Sequence, residues 1–329
     1  MMRSGSLTPG YDIRKGKQMI IPNKIHFIWF GHHIPMEDLL NIISIHCRNP
    51  HYEVNIWADS YGVSGKTIRN LDICFPQRIR IRKISEIFER IPVFLGSQYT
   101  WECRTLHSLF LRQLNGAYHN YASASDIARL VILCVEGGTY FDVDVRLLSV
   151  ANVPARMLNI TNPDRWDRKQ MPLNIHTESG LLMGDYYVRQ WNGKSKSFLG
   201  NSIMSVAPGA DIIKKALISI ILYYELNKLE KNHVQTLWQD VRKDPVKRFM
   251  FTLEMAGPVM LRGILTRSPA QDIDKQYLLE NTIHDRMFEK VNADAEWQRP
   301  DTETKSREWV TLKKFHVKYS LRLQSESPF

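Results

Sequence analysis

Short apolar runs alternate along this chain with longer stretches in which apolar residues recur every three or four positions. Lys24-Ile-His-Phe-Ile-Trp-Phe30 is a nearly continuous apolar run between Pro22 and Gly31, which predicts a short buried strand. Pro35 suits the start of a helix, and Leu39, Leu40 and Ile43 carry a helical repeat to about Cys47. Tyr52 to Ala58 alternates and predicts a second strand, closed by Asp59-Ser60. Arg78-Ile-Arg-Ile-Arg-Lys83 alternates with period two. It predicts a third strand with Ile79 and Ile81 turned inward and Arg78, Arg80 and Arg82 on a solvated face. An opening of strand, helix, strand, helix, strand predicts an α/β domain with a mostly parallel sheet.

Further on, Trp101 to Leu114 predicts a helix. Ser123-Ala-Ser-Asp126 then offers a Ser or Asp cap ahead of Ile127, Leu130, Val131, Leu133, Cys134 and Val135, and Gly137-Gly138 supplies a stop. Thr139 to Arg146 follows as a predicted strand, rich in β-branched and aromatic residues. On a strand, period two places Asp142 and Asp144 on one face. Gly180 to Met183 and Ser202 to Val206 predict strands. Asp211 to Asn227 predicts a helix, and so does Glu254 to Leu265, starting around Gly257-Pro258. Ala293 to Arg307 reads as a charged connector, and Trp309 to Leu323 as a last strand and tail. Met1 to Lys17 is rich in Gly, Ser, Arg and Lys and reads as a mobile lead-in. The expected organisation is a flexible tail over 1–20 and a single domain over 21–329.

Composition narrows the class. An apolar share of 43% with 24% charged residues is that of a folded soluble protein, so disorder is excluded as the main state. The longest apolar stretch, Ala216 to Tyr224, is interrupted by a Ser and falls far short of the roughly 20 residues that span a bilayer. With no apolar signal segment at the N-terminus, a cytoplasmic protein is expected. Cys47, Cys74, Cys103 and Cys134 form no close pair, which argues for reduced thiols rather than a zinc site or a disulfide scaffold. Lys and Arg number 44 against 34 Asp and Glu, a net charge of +10. That excess leaves nucleic acid, acidic lipid and anionic small molecules open as partners.

Candidate chemistry centres on Asp142-Val143-Asp144. Two neighbouring carboxylates among Tyr140, Phe141, Val143 and Val145 repel each other and lose hydration, so they call for a cation or protons. A hard ion such as Mg²⁺ or Mn²⁺, bridging to phosphates, fits oxygen donors. The bland alternatives are a solvated strand face and an edge strand whose charges guard against pairing with other chains. Asp126 and Arg129 share a helix face at spacing i, i+3. They form either a surface ion pair or a carboxylate for sugar hydroxyls beside a guanidinium for phosphate. Trp29 is either core or a stacking platform at the carboxyl end of a parallel strand. His32, His33 and His316 are weaker candidates as ligands or bases. The sequence contains no G-x-S-x-G, Walker A, G-x-G-x-x-G or H-E-x-x-H pattern.

These residues together resemble a known family. Ile25-His-Phe-Ile-Trp-Phe-Gly31, Val54-Asn-Ile-Trp-Ala-Asp-Ser60, Ala122-Ser-Ala-Ser-Asp-Ile-Ala-Arg129 and Gly137-Gly-Thr-Tyr-Phe-Asp-Val-Asp144 are similar, in order and rough spacing, to the DXD sugar-binding glycosyltransferases. That group includes glycosyltransferase family 32 and the catalytic domains of the large clostridial glucosylating toxins. Asn201-Ser-Ile-Met-Ser-Val-Ala-Pro-Gly209 resembles the family's acceptor-side strand and loop. Ala256-Gly-Pro258 resembles its T-G-P element with Ala in place of Thr.

The resemblance implies a GT-A type fold: α/β, a mostly parallel central sheet and a helical elaboration. It implies a retaining, metal-dependent transfer of a hexose or N-acetylhexosamine from a nucleotide sugar, UDP-linked, with Mn²⁺ or Mg²⁺. In that reading Trp29 stacks on the base and Ser125 lies beside the nucleoside. Asp126 holds donor hydroxyls, Arg129 the sugar or phosphate, and Tyr140 shapes the diphosphate site. Asp142 contacts ribose and sugar, Asp144 binds the metal with Asp142 beside it, and Asn201 lies on the acceptor side. One departure stands out: the family's C-terminal Ser-Trp element is missing from Phe315 to Leu323, leaving Ser320, His316 or Trp309 as substitutes.

The acceptor is a protein if the chain is a toxin or effector delivered into a host cell. It is a glycan or glycolipid if the chain builds surface polysaccharide. The basic stripe suits peripheral contact with an acidic membrane. A nucleic-acid module without catalysis ranks below both, because the aromatic interleaving of a single-strand binder is absent.

Overall fold

The computed structural model describes residues 18–59, 67–68, 71, 79–115, 120–147, 171–184, 186–191, 194–229, 251–266 and 288–290. The lead-in over 1–17, Arg78, Cys74, the connector over 293–307 and the terminal segment with Trp309, His316 and Ser320 lie outside the described residues.

The central sheet is built as the apolar runs predict. Strands β2 (Lys24–Trp29), β3 (Glu53–Ala58), β4 (Ile79–Lys83) and β5 (Gly138–Phe141) run parallel in the order β4-β3-β2-β5. On the far side of β5, β11 (Ile203–Val206) pairs antiparallel, and β8 (Leu181–Met183) pairs antiparallel with it. The sheet is thus mixed but mostly parallel. Smaller pairs surround it: β1 (Met19–Ile21) with β7 (Ile175–Thr177), β6 (Val145–Leu147) with β12 (Phe288–Lys290), and a hairpin of β9 (Tyr186–Trp191) and β10 (Lys194–Leu199).

Helices cover both faces. Helix α1 (Met36–Arg48) packs Leu39, Ile42 and Ile45 onto Phe27, Ile56, Phe141 and Val145. The other face carries α2 (Ile84–Leu95), α3 (Thr100–Leu114), α4 (Tyr121–Glu136), α5 (Asp211–Leu229) and α6 (Pro258–Leu265), packed over Ile28, Trp57, Tyr140 and Met204. Residues 251–255 are also helical. Helix α4 is buried along nearly its whole length, which is why its sequence is apolar on all sides.

Three local expectations change. The cap of α4 is Asn120, whose side chain accepts from the Ser123 amide at 3.3 Å. Ser125 and Asp126 therefore lie inside the helix, on its site-facing surface, instead of capping it. The predicted strand 139–146 is broken: β5 ends at Phe141, and residues 142–144 form a turn closed by Val145 N–H donating to the Asp142 carbonyl at 3.0 Å. Asp142 and Asp144 thus share a turn, not a strand face. Lastly, Arg82 is not on a solvated face. Its guanidinium lies 4.3 Å over the Trp57 ring and donates to Glu136 at 2.9 Å. Arg80 does remain exposed, and Ile79 is buried.

The stop at Gly137-Gly138 has a steric reason. Both have positive φ, +64° and +89°. A Cβ at Gly137 would meet Pro208 Cδ at 2.6 Å, and one at Gly138 would meet the Lys24 carbonyl at 2.7 Å. Only glycine lets α4 turn this sharply into β5. That turn brings the first half of α4 alongside the end of β5, where the site lies.

Candidate functional site

The parallel strands end together at one edge of the sheet. Register pairs His26 with Tyr140, so Trp29, at the end of β2, comes level with the turn after β5. The turn is held from the sheet by Asp142 N–H, which donates to the Ser202 carbonyl at 2.8 Å. From α1, Asn41 Nδ2 donates to the carbonyls of Val143 at 3.0 Å and Val145 at 2.6 Å.

From the opposite sheet face, α4 presents Ser125, Asp126 and Arg129. The guanidinium of Arg129 is 4% exposed and ties four residues together. Its Nη2 donates to Asp142 Oδ1 at 2.8 Å and to the Tyr140 hydroxyl at 3.2 Å. Its Nη1 donates to the Asn201 carbonyl at 2.5 Å and pairs with Asp126 Oδ1 at 3.3 Å. The Arg129 Cζ lies 4.2 Å from the centroid of the Tyr140 ring, over its face. Asn201 closes the ring, since its Nδ2 donates to Asp126 Oδ1 at 2.8 Å. The Tyr140 hydroxyl donates to Asp142 Oδ1 at 2.8 Å and sits 3.4 Å from Ser125 Oγ.

The electrostatics follow from burial. Desolvation opposes the Arg129 charge, but Asp142, Tyr140 and Asp126 outweigh it and hold the pKa above the ordinary arginine value. The Tyr140 phenol is pushed up, first by burial and then by Asp142, against the pull of Arg129. It therefore keeps its proton and serves as a hydrogen-bond donor to Asp142. Asp144 is buried at 5% exposed. The buried guanidinium therefore stays charged at the centre of the cluster.

Six of the residues singled out from sequence, Ser125, Asp126, Arg129, Tyr140, Asp142 and Asn201, meet in one hydrogen-bonded cluster. Asp144 adjoins it in the turn. Trp29 lies at the same edge, partly buried against the α1 side, with its Nε1 buried and without a hydrogen-bond partner among the described residues. His32 and His33 are exposed in the loop that follows. Asn41 and the Ser202 carbonyl were not legible beforehand. Asn41 stands in an amphipathic helix, and only its burial signals a purpose.

Two carboxylates one residue apart, one of them buried, form a hard oxygen donor set that fits Mg²⁺ or Mn²⁺ when phosphate oxygens or water complete the shell. Among the described residues no group of three or more His, Cys, Asp or Glu gathers to hold a metal unaided. A protein-only cage of the zinc kind is thus not built by those residues.

Comparisons with known proteins bear on this edge of the sheet. Residues 35–160 match the family model described as the glycosyltransferase sugar-binding region containing DXD motif. A curated relative from Legionella pneumophila, "Subversion of eukaryotic traffic protein A", is 25% identical over 309 residues, 90% of this chain and 40% of the relative. The chain thus spans less than half the length of that relative. Among solved structures, the PaToxG glycosyltransferase is 22% identical, with 76% of this chain and 71% of that one covered and a TM-score of 0.50. The UDP-bound glycosyltransferase domain of the YGT toxin is 15% identical, with 79% and 81% covered and a TM-score of 0.50. These likenesses show a GT-A-like fold.

Proposed function

We propose, for a chain that carries the DXD-containing sugar-binding region of the glycosyltransferases, that it moves a hexose or N-acetylhexosamine from a UDP-sugar to a protein acceptor with retention of anomeric configuration. The observation that carries this reading is the Arg129-centred cluster. It gathers residues from α4, β5 and the loop before β11 at the carboxyl edge of parallel strands, where ligands of open α/β sheets bind.

In this reading Trp29 flanks the base and Ser125 lies toward the nucleoside. Asp126, fixed by Asn201 and Arg129, accepts from donor-sugar hydroxyls. Asp142 and Asp144 would hold a hard divalent ion, which supplies Lewis-acid neutralisation of the leaving diphosphate. Arg129 holds Asp126 and Asp142 aimed, so their orientation costs no reorganisation during reaction. Tyr140 shares Asp142 Oδ1 with Arg129 and fixes the carboxylate plane. Bond breaking at the anomeric carbon gives an oxocarbenium-like transition state. No carboxylate in the cluster stands out as a covalent nucleophile, which favours entry of the acceptor on the leaving-group side.

A protein acceptor is favoured by the relatives, which are named as a traffic-subverting protein of Legionella pneumophila and as glycosyltransferase domains of toxins. Incubating the chain with eukaryotic lysate and labelled UDP-sugar tests this. A labelled protein band supports the reading, and label confined to lipid or glycan overturns it. Donor binding is tested by thermal shift. UDP with Mn²⁺ at about 100 times its Kd should add about 2.7 kcal/mol of stability, and no shift with any UDP-sugar contradicts the donor assignment.

A further inference from the structure

Asn41 lies inside α1, where asparagine is a poor helix former because its side chain competes for backbone hydrogen bonds. It is also buried, at 8% exposed. A buried carboxamide in an apolar helix face is costly unless both its hydrogens find acceptors. They find the Val143 and Val145 carbonyls, at 3.0 and 2.6 Å. These are the residues on either side of Asp144. The chain leaves the central sheet after Phe141 and enters the small β6–β12 pair only at Val145, so the buried backbone of the turn between them takes partners from outside the central sheet. Asn41 provides them from the sheet face opposite α4, while Arg129 and Tyr140 grip Asp142 from the α4 side. The two carboxylates are thus aimed by separate devices.

We infer that Asn41 is a positioning residue for Asp144: its carboxamide clamps the peptide groups flanking that residue and so fixes the direction of a buried carboxylate. The inference rests on the glycosyltransferase reading for what Asp144 is aimed at, a divalent cation bridging to the donor diphosphate. It does not rest on that reading for the clamp itself. Asparagine is the residue the geometry asks for. Aspartate has the same shape but no donor, and it would set a carboxylate against two carbonyls beside Asp144. Glutamine carries the amide one methylene further out.

The experiment compares the full chain with Asn41→Asp, Asn41→Ala and, as a control on an exposed turn of the same helix, Ser44→Ala, whose hydroxyl bonds only the Leu40 carbonyl among the bonds described. Hydrogen exchange of the amides over 142–147 is read without ligand. Mn²⁺ binding is read from the EPR signal of the free ion at fixed UDP. Loss of a group that orients a metal ligand typically costs about 10- to 100-fold in metal affinity. Both Asn41 variants should therefore weaken Mn²⁺ binding about tenfold or more and exchange faster over 142–147, with Ser44→Ala unchanged in both. Unchanged exchange in both variants overturns the clamp. Faster exchange with unchanged Mn²⁺ affinity overturns its link to Asp144. If the unmodified chain binds neither UDP nor Mn²⁺, the glycosyltransferase reading falls, and the exchange comparison still decides the clamp. Should Asn41→Asp not fold, Asn41→Ala, which introduces no charge, decides it.

Discussion

The Tyr140 hydroxyl donates to Asp142 Oδ1 at 2.8 Å and receives an N–H from Arg129 Nη2 at 3.2 Å. Removing that oxygen leaves a buried guanidinium and a partly buried carboxylate each one contact short. A hydrogen bond to a charged group contributes about 1.5–3 kcal/mol, so Tyr140→Phe should lower kcat about 10- to 100-fold. Steady-state kinetics with a UDP-sugar check this. Arg129→Lys should lose more, by about 100-fold or more in kcat/KM, because an ammonium cannot span Asp126, Asp142 and the Asn201 carbonyl from one planar group. A lysine variant of normal kcat/KM would contradict the role given to Arg129. At this scale the sequence was informative where a residue belonged to a dense pattern. Asp126, Arg129 and Asp142 stood out because their neighbours matched a family block. Asn41 did not, since its importance comes from two carbonyls about a hundred positions away. No local pattern encodes that contact.

Helix α4 ends on Glu136, a carboxylate at the end where the helix dipole disfavours one. The fold answers with Lys24, Arg82 and Arg90, all within ion-pair reach of it. Burial alone would raise the Glu136 pKa, but hydrogen bonds from Lys24 and Arg90 and the charges of Lys24 and Arg82 bring it down to about 2. Below it, His26 is fully buried and neutral. Trp57 donates to its Nδ1 at 3.0 Å, its Nε2 faces the Gly137 carbonyl at 2.9 Å, and burial lowers its pKa to about 3. Both shifts are downward, so both contribute stability that is fully present above the ordinary pKa and lost as pH falls. The loss should begin near pH 6.5, as the unfolded chain protonates His26. It should steepen from about pH 4.5 toward 2, as Glu136 follows. Thermal melts across pH 2–8 check this, and Glu136→Gln should flatten the lower segment. At pH 7 the same variant should lose on the order of 2 kcal/mol, less than for a fully buried pair because Arg90 is 45% exposed. A Glu136→Gln melting curve that matches the parent from pH 2 to 5 would contradict the account.

Elements were legible where one period dominated, as in β3, α3 and α5, or where Pro and Gly bounded an apolar run, as in β2. Helix α2 was missed although Ile84, Ile87, Phe88, Ile91 and Leu95 are its buried stripe, because Pro92 interrupts the pattern without ending the helix. The turn at 142–144 was read as strand because Tyr140, Phe141, Val143 and Val145, set around its two aspartates, are β-formers. Tertiary bonds from Ser202 and Asn41 override that preference.

For the molecule as a whole, the basic residues that the fold pairs are matched by carboxylates, so the excess of +10 lies outside these pairs. Arg129 serves two carboxylates, Lys24, Arg82 and Arg90 meet at Glu136, and Arg82 also reaches Glu86. Arg80 pairs with Glu53 at 3.5 Å. Within the basic stripe, Arg82 is thus a structural residue, while Arg80 stays exposed. Among the described residues no helix is long and apolar enough to cross a membrane. The fold class was legible from the opening alternation of strands and helices, whereas the antiparallel β11 and β8 were legible only as strands. Their direction depends on long connections that no local period describes.

The most direct measurement is release or transfer of sugar from UDP-glucose and UDP-N-acetylglucosamine by the purified chain with Mn²⁺, set against the Asp142→Asn/Asp144→Asn double variant. Turnover that the double variant loses, while keeping the parent's far-UV circular dichroism, is the predicted result. Equal turnover in the two proteins would contradict the assignment of the site.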